Sequence, residues 1–252
     1  MSFKMGFSSI KWQNPDLEKV LTQVREAGWE GWEIRPSLDW LGTPSRIRRI
    51  CDQTDMPVAC VTGSGISLDN DWAMKERNKR RIDFAAEVEA ENFMFMGAGR
   101  PKHAPTPAED ITALAELADE LADYASQYDL EVCYHIHNLT TVDSRAQWES
   151  LMSQMKRARL CIDVSHSAFW DYDPVESIKD FQDRLIYVHL QDWKLDRWVE
   201  LDEGELVDVP ACLKALEEIG YDRWVVTVPG DTQQSDQEKM VVNREYLRSV
   251  GW

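Results

Sequence analysis

Basic residues are scarce in this chain: 28 Lys and Arg stand against 45 Asp and Glu, for a formal net charge of −17. Phosphate backbones are bound by concentrated Lys and Arg, so this balance argues against a nucleic-acid partner. The short basic runs Arg46-Ile47-Arg48-Arg49 and Lys79-Arg80-Arg81 are flanked by acids and read as solvated helix faces. No apolar stretch approaches the ~20 residues that span a bilayer, and the amino terminus has no basic segment followed by an apolar one. A soluble, cytoplasmic protein with no membrane partner is expected. The five cysteines, at 51, 60, 133, 161 and 212, are odd in number and have no Cys-x-x-Cys spacing, which argues against a disulfide framework. Cys60, Cys133 and Cys161 fall inside candidate strands, where a reduced thiol acts as a small apolar side chain. A glycine-rich phosphate turn is missing too. Gly63-Ser64-Gly65 lacks the third glycine and the helix start of a dinucleotide fingerprint, and reads as a loop turn.

Strands separated by helices are present in abundance. Strand-length apolar runs occupy Lys4 to Phe7, Gly31 to Ile34, Val58 to Thr62, Asn92 to Met96, Glu131 to His135, Leu160 to Asp163, Leu185 to Leu190 and Arg223 to Val228. Helix starts are marked by Asn14-Pro15-Asp16, Thr43-Pro44, Thr106-Pro107 and Val209-Pro210, with proline in the first turn. From Ile111 to Tyr128 the positions Leu114, Leu117, Ala118, Leu121 and Tyr124 keep the spacing of one buried helix face. Eight strand-helix units in 252 residues, with no linker, predict an α/β fold in which residues 1–252 form a single (β/α)8 barrel. An open doubly wound sheet is the second architecture, disfavoured by the missing phosphate turn.

Three of the runs turn polar where a strand would leave the core: Val132-Cys133-Tyr134-His135-Ile136-His137, Leu160-Cys161-Ile162-Asp163-Val164-Ser165-His166 and Ile186-Tyr187-Val188-His189-Leu190-Gln191-Asp192. Four of the five histidines lie in these segments. A single histidine at a strand end is an ordinary satisfied polar residue; three such ends point to a divalent-metal site, because imidazole and carboxylate are the ligands such ions take. In a barrel the carboxyl ends of the strands share one mouth. That mouth would collect Glu33, His135, His137, Asp163, His166 and His189, with Asp143 in the loop after the fifth strand.

In order and spacing these segments resemble the xylose-isomerase-like barrels, a family of sugar-phosphate isomerases and epimerases, ketose 3-epimerases, inosose dehydratase and keto-sugar lyases. The resemblance spans nearly the whole chain. It is carried by Gly28-Trp29-Glu30-Gly31-Trp32-Glu33, Tyr134-His135-Ile136-His137, Asp163-x-x-His166, His189-x-x-Asp192, the segment from Glu203 to Asp208, and Gly220-Tyr221-Asp222-Arg223-Trp224. It implies a metal held by Asp143, Asp163 and His189, with His166 on a substrate hydroxyl and Glu33 near the mouth. The fourth family ligand, a glutamate ending the last strand, falls at Val228, which can neither bind an ion nor move a proton; Asp231 is the nearest substitute.

The expected activity is that of a metal-dependent sugar isomerase or epimerase working through an enediolate on a small keto-sugar or polyol. His135, Glu33 and His137 are the candidate proton-transfer residues, and His166, Arg197 and Trp12 the candidate substrate contacts. Mn²⁺ is the first choice of ion, with Mg²⁺, Fe²⁺ and Co²⁺ as the others. Dehydration or another elimination is the alternative, because it needs only one base and tolerates Val228. A non-catalytic sugar-binding subunit is the third reading, and a homo-oligomer is compatible with each. Of the eleven tryptophans, Trp12, Trp40, Trp170, Trp193 and Trp198 fall partly in mouth loops, where packing and sugar stacking are both open to them.

Overall fold

The computed structural model describes residues 3–10, 12, 16–63, 71–99 and 106–252, and among these described residues it has ten strands and ten α-helices. The strands are β1 (Lys4–Ser8), β2 (Gly31–Ile34), β3 (Val58–Thr62), β4 (Asn92–Phe95), β5 (Glu131–His135), β6 (Arg159–Asp163), β7 (Leu185–Leu190), β8 (Asp192–Lys194), β9 (Arg197–Val199) and β10 (Trp224–Thr227). Eight of them close a parallel barrel in the order β1-β10-β7-β6-β5-β4-β3-β2, the expected (β/α)8 fold, while β8 and β9 pair as a small antiparallel hairpin at its mouth. The helices are α1 (Leu17–Ala27), α2 (Leu38–Leu41), α3 (Pro44–Thr54), α4 (Asp71–Glu87), α5 (Ala108–Ala125), α6 (Arg145–Gln154), α7 (Val164–Phe169), α8 (Pro174–Asp180), α9 (Val209–Glu218) and α10 (Asp236–Ser249).

The runs Val58-Ala59-Cys60-Val61-Thr62 and Leu185-Ile186-Tyr187-Val188-His189-Leu190 are buried at every position, as parallel strands covered on both faces must be. Each helix supplies one apolar face: α1 buries Leu17, Val20, Leu21 and Val24, and α5 buries Leu114, Leu117, Ala118 and Leu121 among others. Two of the expected proline starts are seen, with Pro44 opening α3 behind the Thr43 cap and Pro210 in the first turn of α9. Pro107 instead occupies the cap position of α5, one residue outside the helix, and supplies no side-chain hydrogen bond. Of the first start, residues 14 and 15 lie outside the described residues, while Asp16 caps α1.

Two hydrophobic layers result. The larger lies between strands and helices; the smaller fills the barrel and contains Cys60, Cys133, Cys161, Tyr187, Trp224 and Val226. Three of the cysteines thus serve as small apolar residues inside the barrel, and all five are free. The Trp224 indole occupies the space left by glycine on neighbouring strands: a Cβ at Gly31 would sit 2.4 Å from its ring and 2.9 Å from the Pro57 carbonyl oxygen. Gly31→Ala should therefore cost roughly 1–3 kcal/mol, read as a lower urea midpoint at an unchanged slope.

Candidate active site at the barrel mouth

Strand register sets the floor of the site. Ser8 pairs with Glu33 and Asp163 with His189, at the ends of β1 and β6 and one residue short of the ends of β2 and β7. Glu33, His135, Asp163, His166 and His189 are all buried there. Glu33 reaches across the barrel to His189, its Oε2 accepting from Nε2 at 2.7 Å, while its Oε1 accepts from Ser8 Oγ at 2.8 Å and Arg35 Nε at 2.7 Å. Burial opposes the Glu33 charge, but His189 and Arg35 more than offset it and hold the carboxyl far below its ordinary range. An ionised Glu33 can only accept, so the His189 proton sits on Nε2 and the Nδ1 lone pair points the other way.

That lone pair faces the other donors. His189 Nδ1 lies 3.0 Å from His135 Nε2 and 3.7 Å from Asp163 Oδ2, and the last two are 3.5 Å apart. A point equidistant from three atoms so spaced is about 2 Å from each, the bond length of imidazole nitrogen or carboxylate oxygen to a divalent ion. The carboxylate behind a ligating imidazole, here Glu33, is the usual second partner of a metal-bound histidine. The donor set therefore fits a divalent metal. Cys161 belongs to an overlapping set in which its Sγ and the His135 and His189 nitrogens all lie within 4.8 Å. The Asp163 triangle is tighter, and burial pushes the Cys161 thiol well above its ordinary pKa, so the carboxylate is the better third donor.

The two oxygens of Asp163 have separate tasks. Oδ1 caps α7, accepting from Ser165 N at 3.0 Å, Ser165 Oγ at 2.5 Å and His166 N at 3.4 Å. Oδ2 is left to the imidazoles, including His166 Nε2 at 3.9 Å. Burial works against the Asp163 charge, and the facing imidazoles, His166 foremost, more than offset it, so the carboxyl is held well below its usual range.

Beyond the triangle, the backbone of one residue governs two histidines. The Asn138 carbonyl oxygen lies 2.7 Å from His137 Nδ1, and the Asn138 N–H donates to His166 Nδ1 at 3.3 Å. A carbonyl only accepts, so His137 carries its proton on Nδ1 and presents a bare Nε2. The reverse bond leaves His166 with its proton on Nε2. The two rings stand 4.0 Å apart, centroid to centroid. Burial lowers the pKa of both, that of His166 to about 3, so each is a neutral imidazole near pH 7.

A stability consequence follows with a definite sign. The folded pKa of His166 is depressed, so below about pH 6.5 the unfolded chain binds the extra proton and stability falls as pH falls. The loss from His166 alone should reach about 2 kcal/mol at pH 5. Urea unfolding of the chelator-treated protein at pH 7 and pH 5 reads this loss together with those of His135 and His137, whose pKa values burial also lowers, and His166→Asn should shrink the difference by about 2 kcal/mol without abolishing it.

Two cavities flank this row of imidazoles. One of about 370 Å³ is walled by Ser9, Trp12, Arg35, Thr62 and His135 among others. The other, about 700 Å³, is lined by His137, Asn138, Asp143, Gln147 and His166 together with Phe169, Trp170, Trp193 and Trp198. Asp143 stands on that wall, not in the donor triangle: its Oδ1 accepts from Leu139 N at 2.8 Å and Trp170 Nε1 at 3.5 Å. Trp12 is stacked on Trp32 at the edge of the smaller cavity. Arg197 is exposed on β9 and lines neither. Val228 is buried, with its N–H donated to Leu190 O, and Asp231 is exposed. The fifth histidine, His103, lies outside the described residues.

Residues 21–250 match the family model of the xylose isomerase-like TIM barrel. The chain belongs to that family. It is 24% identical to the rhizopine catabolism protein MocC of Rhizobium meliloti, over 90% of this chain and 81% of that protein. It is 23% identical to an inosose dehydratase of Geobacillus kaustophilus, over 91% of this chain and 79% of that one. The E. coli 3-keto-D-glucoside 4-epimerase YcjR shares the fold with a TM-score of 0.83 at 17% identity, covering 99% of both chains. An L-ribulose 3-epimerase gives 0.82 at 17%, covering 99% of this chain and 94% of the other.

Arg35 went unnoticed in the sequence although a signal existed. It lies two residues after Glu33, and period-two alternation carries both to the same face of the strand end. The hairpin that brings Trp193 and Trp198 to the mouth had no such signal, since its strands are three residues each.

Proposed function

We propose that the protein is a metal-dependent lyase acting on a keto-sugar or keto-polyol, removing a proton beside the carbonyl and expelling water or an alcohol from the next carbon. The observation that carries this reading is the opposite protonation of His137 and His166 on one wall. Bare His137 Nε2 is a base, protonated His166 Nε2 is a donor, and Val228, the residue that follows β10, is buried and can neither take nor give a proton. Epimerisation needs proton transfer at both faces of one carbon, whereas elimination needs one base and one acid.

His135, Asp163 and His189 would hold the ion, with Glu33 behind His189 as an orienting residue and not as the base. A bound divalent ion acts as a Lewis acid on the keto oxygen. The protein's own groups do the rest. His137 accepts the carbon-bound proton; His166 donates to the departing oxygen; Arg35, held at Nε by Glu33 on the wall of the smaller cavity, offers its remaining N–H groups to sugar oxygens or to the charge that develops on the keto oxygen. Asp143, fixed by Leu139 and Trp170, is available as a hydroxyl acceptor.

The relatives give the substrates to try. Mn²⁺-loaded protein incubated with an inosose in deuterated water should release water and yield an unsaturated ketone by mass spectrometry. Deuterium exchange with recovery of an epimer and no water loss would favour the epimerase reading instead. Metal uptake with neither exchange nor elimination on inososes, ketoses or keto-glucosides would favour a sugar-binding subunit.

A further inference from the structure

The larger cavity is built differently from the rest of the mouth. Phe169, Trp193 and Trp198 form one aromatic cluster, with Trp193 and Trp198 4.8 Å apart and each of them 5.3–5.6 Å from Phe169. His166 edges onto Trp198 at 5.2 Å, so the cluster is continuous with the proton-moving groups. The hairpin carrying the two tryptophans is fixed from below. Buried Asp192 accepts from the amides of Trp193, Leu206 and Val207, and Gly204 lies so near that a Cβ there would meet the carboxylate at 2.1 Å.

The apolar surface continues past the cavity. Leu139 and Leu195 are 45% and 86% exposed, and both are held in the left-handed region at φ 57 and 59. Leu195 is the first residue of the two-residue turn between β8 and β9, which requires such a φ, and Leu139 stands on the cavity wall. The opposite cavity is half as large and offers Ser9, Thr62 and Arg35, hydrogen-bonding groups suited to sugar hydroxyls. The reacting centre therefore stands between two chambers, and the larger of them is the more aromatic, with Phe169, Trp170, Trp193 and Trp198 on its wall.

We infer that the aromatic chamber is a second subsite, and that the substrate is a glycoside: a keto-sugar joined through oxygen to a further ring that seats against Phe169, Trp193 and Trp198. The inference rests on the keto-sugar reading above and narrows it to ring-bearing substrates. Stacking on these rings should tighten binding roughly tenfold over a glycoside without the second ring.

Isothermal titration of the Mn²⁺-loaded protein with methyl β-D-glucopyranoside, phenyl β-D-glucopyranoside and cellobiose tests it. Phenyl glucoside or cellobiose should bind about tenfold tighter than methyl glucoside, the tighter of the two identifying an aromatic ring or a second sugar. Trp198→Ala and Trp193→Ala should erase the advantage while leaving methyl glucoside affinity unchanged, and Trp198→Phe, which keeps a ring, should retain part of it. Equal binding of all three glycosides overturns the second subsite and leaves the keto-sugar reading standing. Binding of none overturns the second subsite too, and because these probes carry no keto group the keto-sugar reading stands or falls by the inosose incubation. A dimer by sedimentation that dissociates in Trp198→Ala, with no preference among glycosides, would assign the aromatic surface to a second copy of the chain and overturn the inference.

Discussion

Asp163→Asn should lower Mn²⁺ affinity by more than about 100-fold while leaving the far-ultraviolet circular dichroism unchanged. The two effects separate because the two oxygens do. An asparagine keeps a carbonyl oxygen where Oδ1 accepts from the Ser165 and His166 amides, so α7 remains capped. What disappears is the charge at Oδ2, the only anionic corner of the triangle with His135 and His189. His189→Ala should lose the ion as well, but it also strips buried Glu33 of a hydrogen-bond partner and should cost stability besides. Glu33→Gln, which relaxes the tautomer of His189 without removing a ligand, should weaken the ion by about 10- to 100-fold. Titration by electron paramagnetic resonance, with full occupancy in Asp163→Asn, would remove this site from consideration.

His137→Ala should slow elimination by roughly 10²- to 10⁴-fold with Mn²⁺ affinity near that of the parent. The ring lines the cavity and is half-buried, and its Nδ1 is spent on the Asn138 carbonyl, so its deletion takes away a proton acceptor and little packing. Solvent deuterium entering the carbon beside the carbonyl is the decisive readout. If that exchange continues at the parent rate, the base is another group, and His135 becomes the first to test. His166→Ala should leave exchange measurable and slow the release of the leaving oxygen, since its Nε2–H is the donor.

The barrel was legible because strands buried on both faces leave uninterrupted apolar runs, and all eight fell within a residue or two of their observed ends. Helix starts were legible where a cap and proline coincide, as at Thr43-Pro44, and misplaced at Pro107, where proline itself took the cap position. The strand-end motifs named His135, Asp163, His166 and His189, which the structure gathers at one floor. Asp143 illustrates the limit: a spacing rule placed it in the loop after β5, but loop conformation decides whether its carboxylate meets an ion or a backbone amide, and here Leu139 N holds it. The service of Glu33 to His189 crosses the barrel, from β2 to β7, and no local pattern encodes a contact of that span.

The backbone of Asn138 carries a last consequence. Its carbonyl and its N–H give His137 and His166 opposite protonation, and both groups belong to the main chain. Side-chain drift at position 138 therefore leaves the assignment intact, since every residue but proline supplies the same donor and acceptor. A lineage could reshape the walls of both chambers, and with them the choice of substrate, without disturbing which imidazole takes a proton and which gives one.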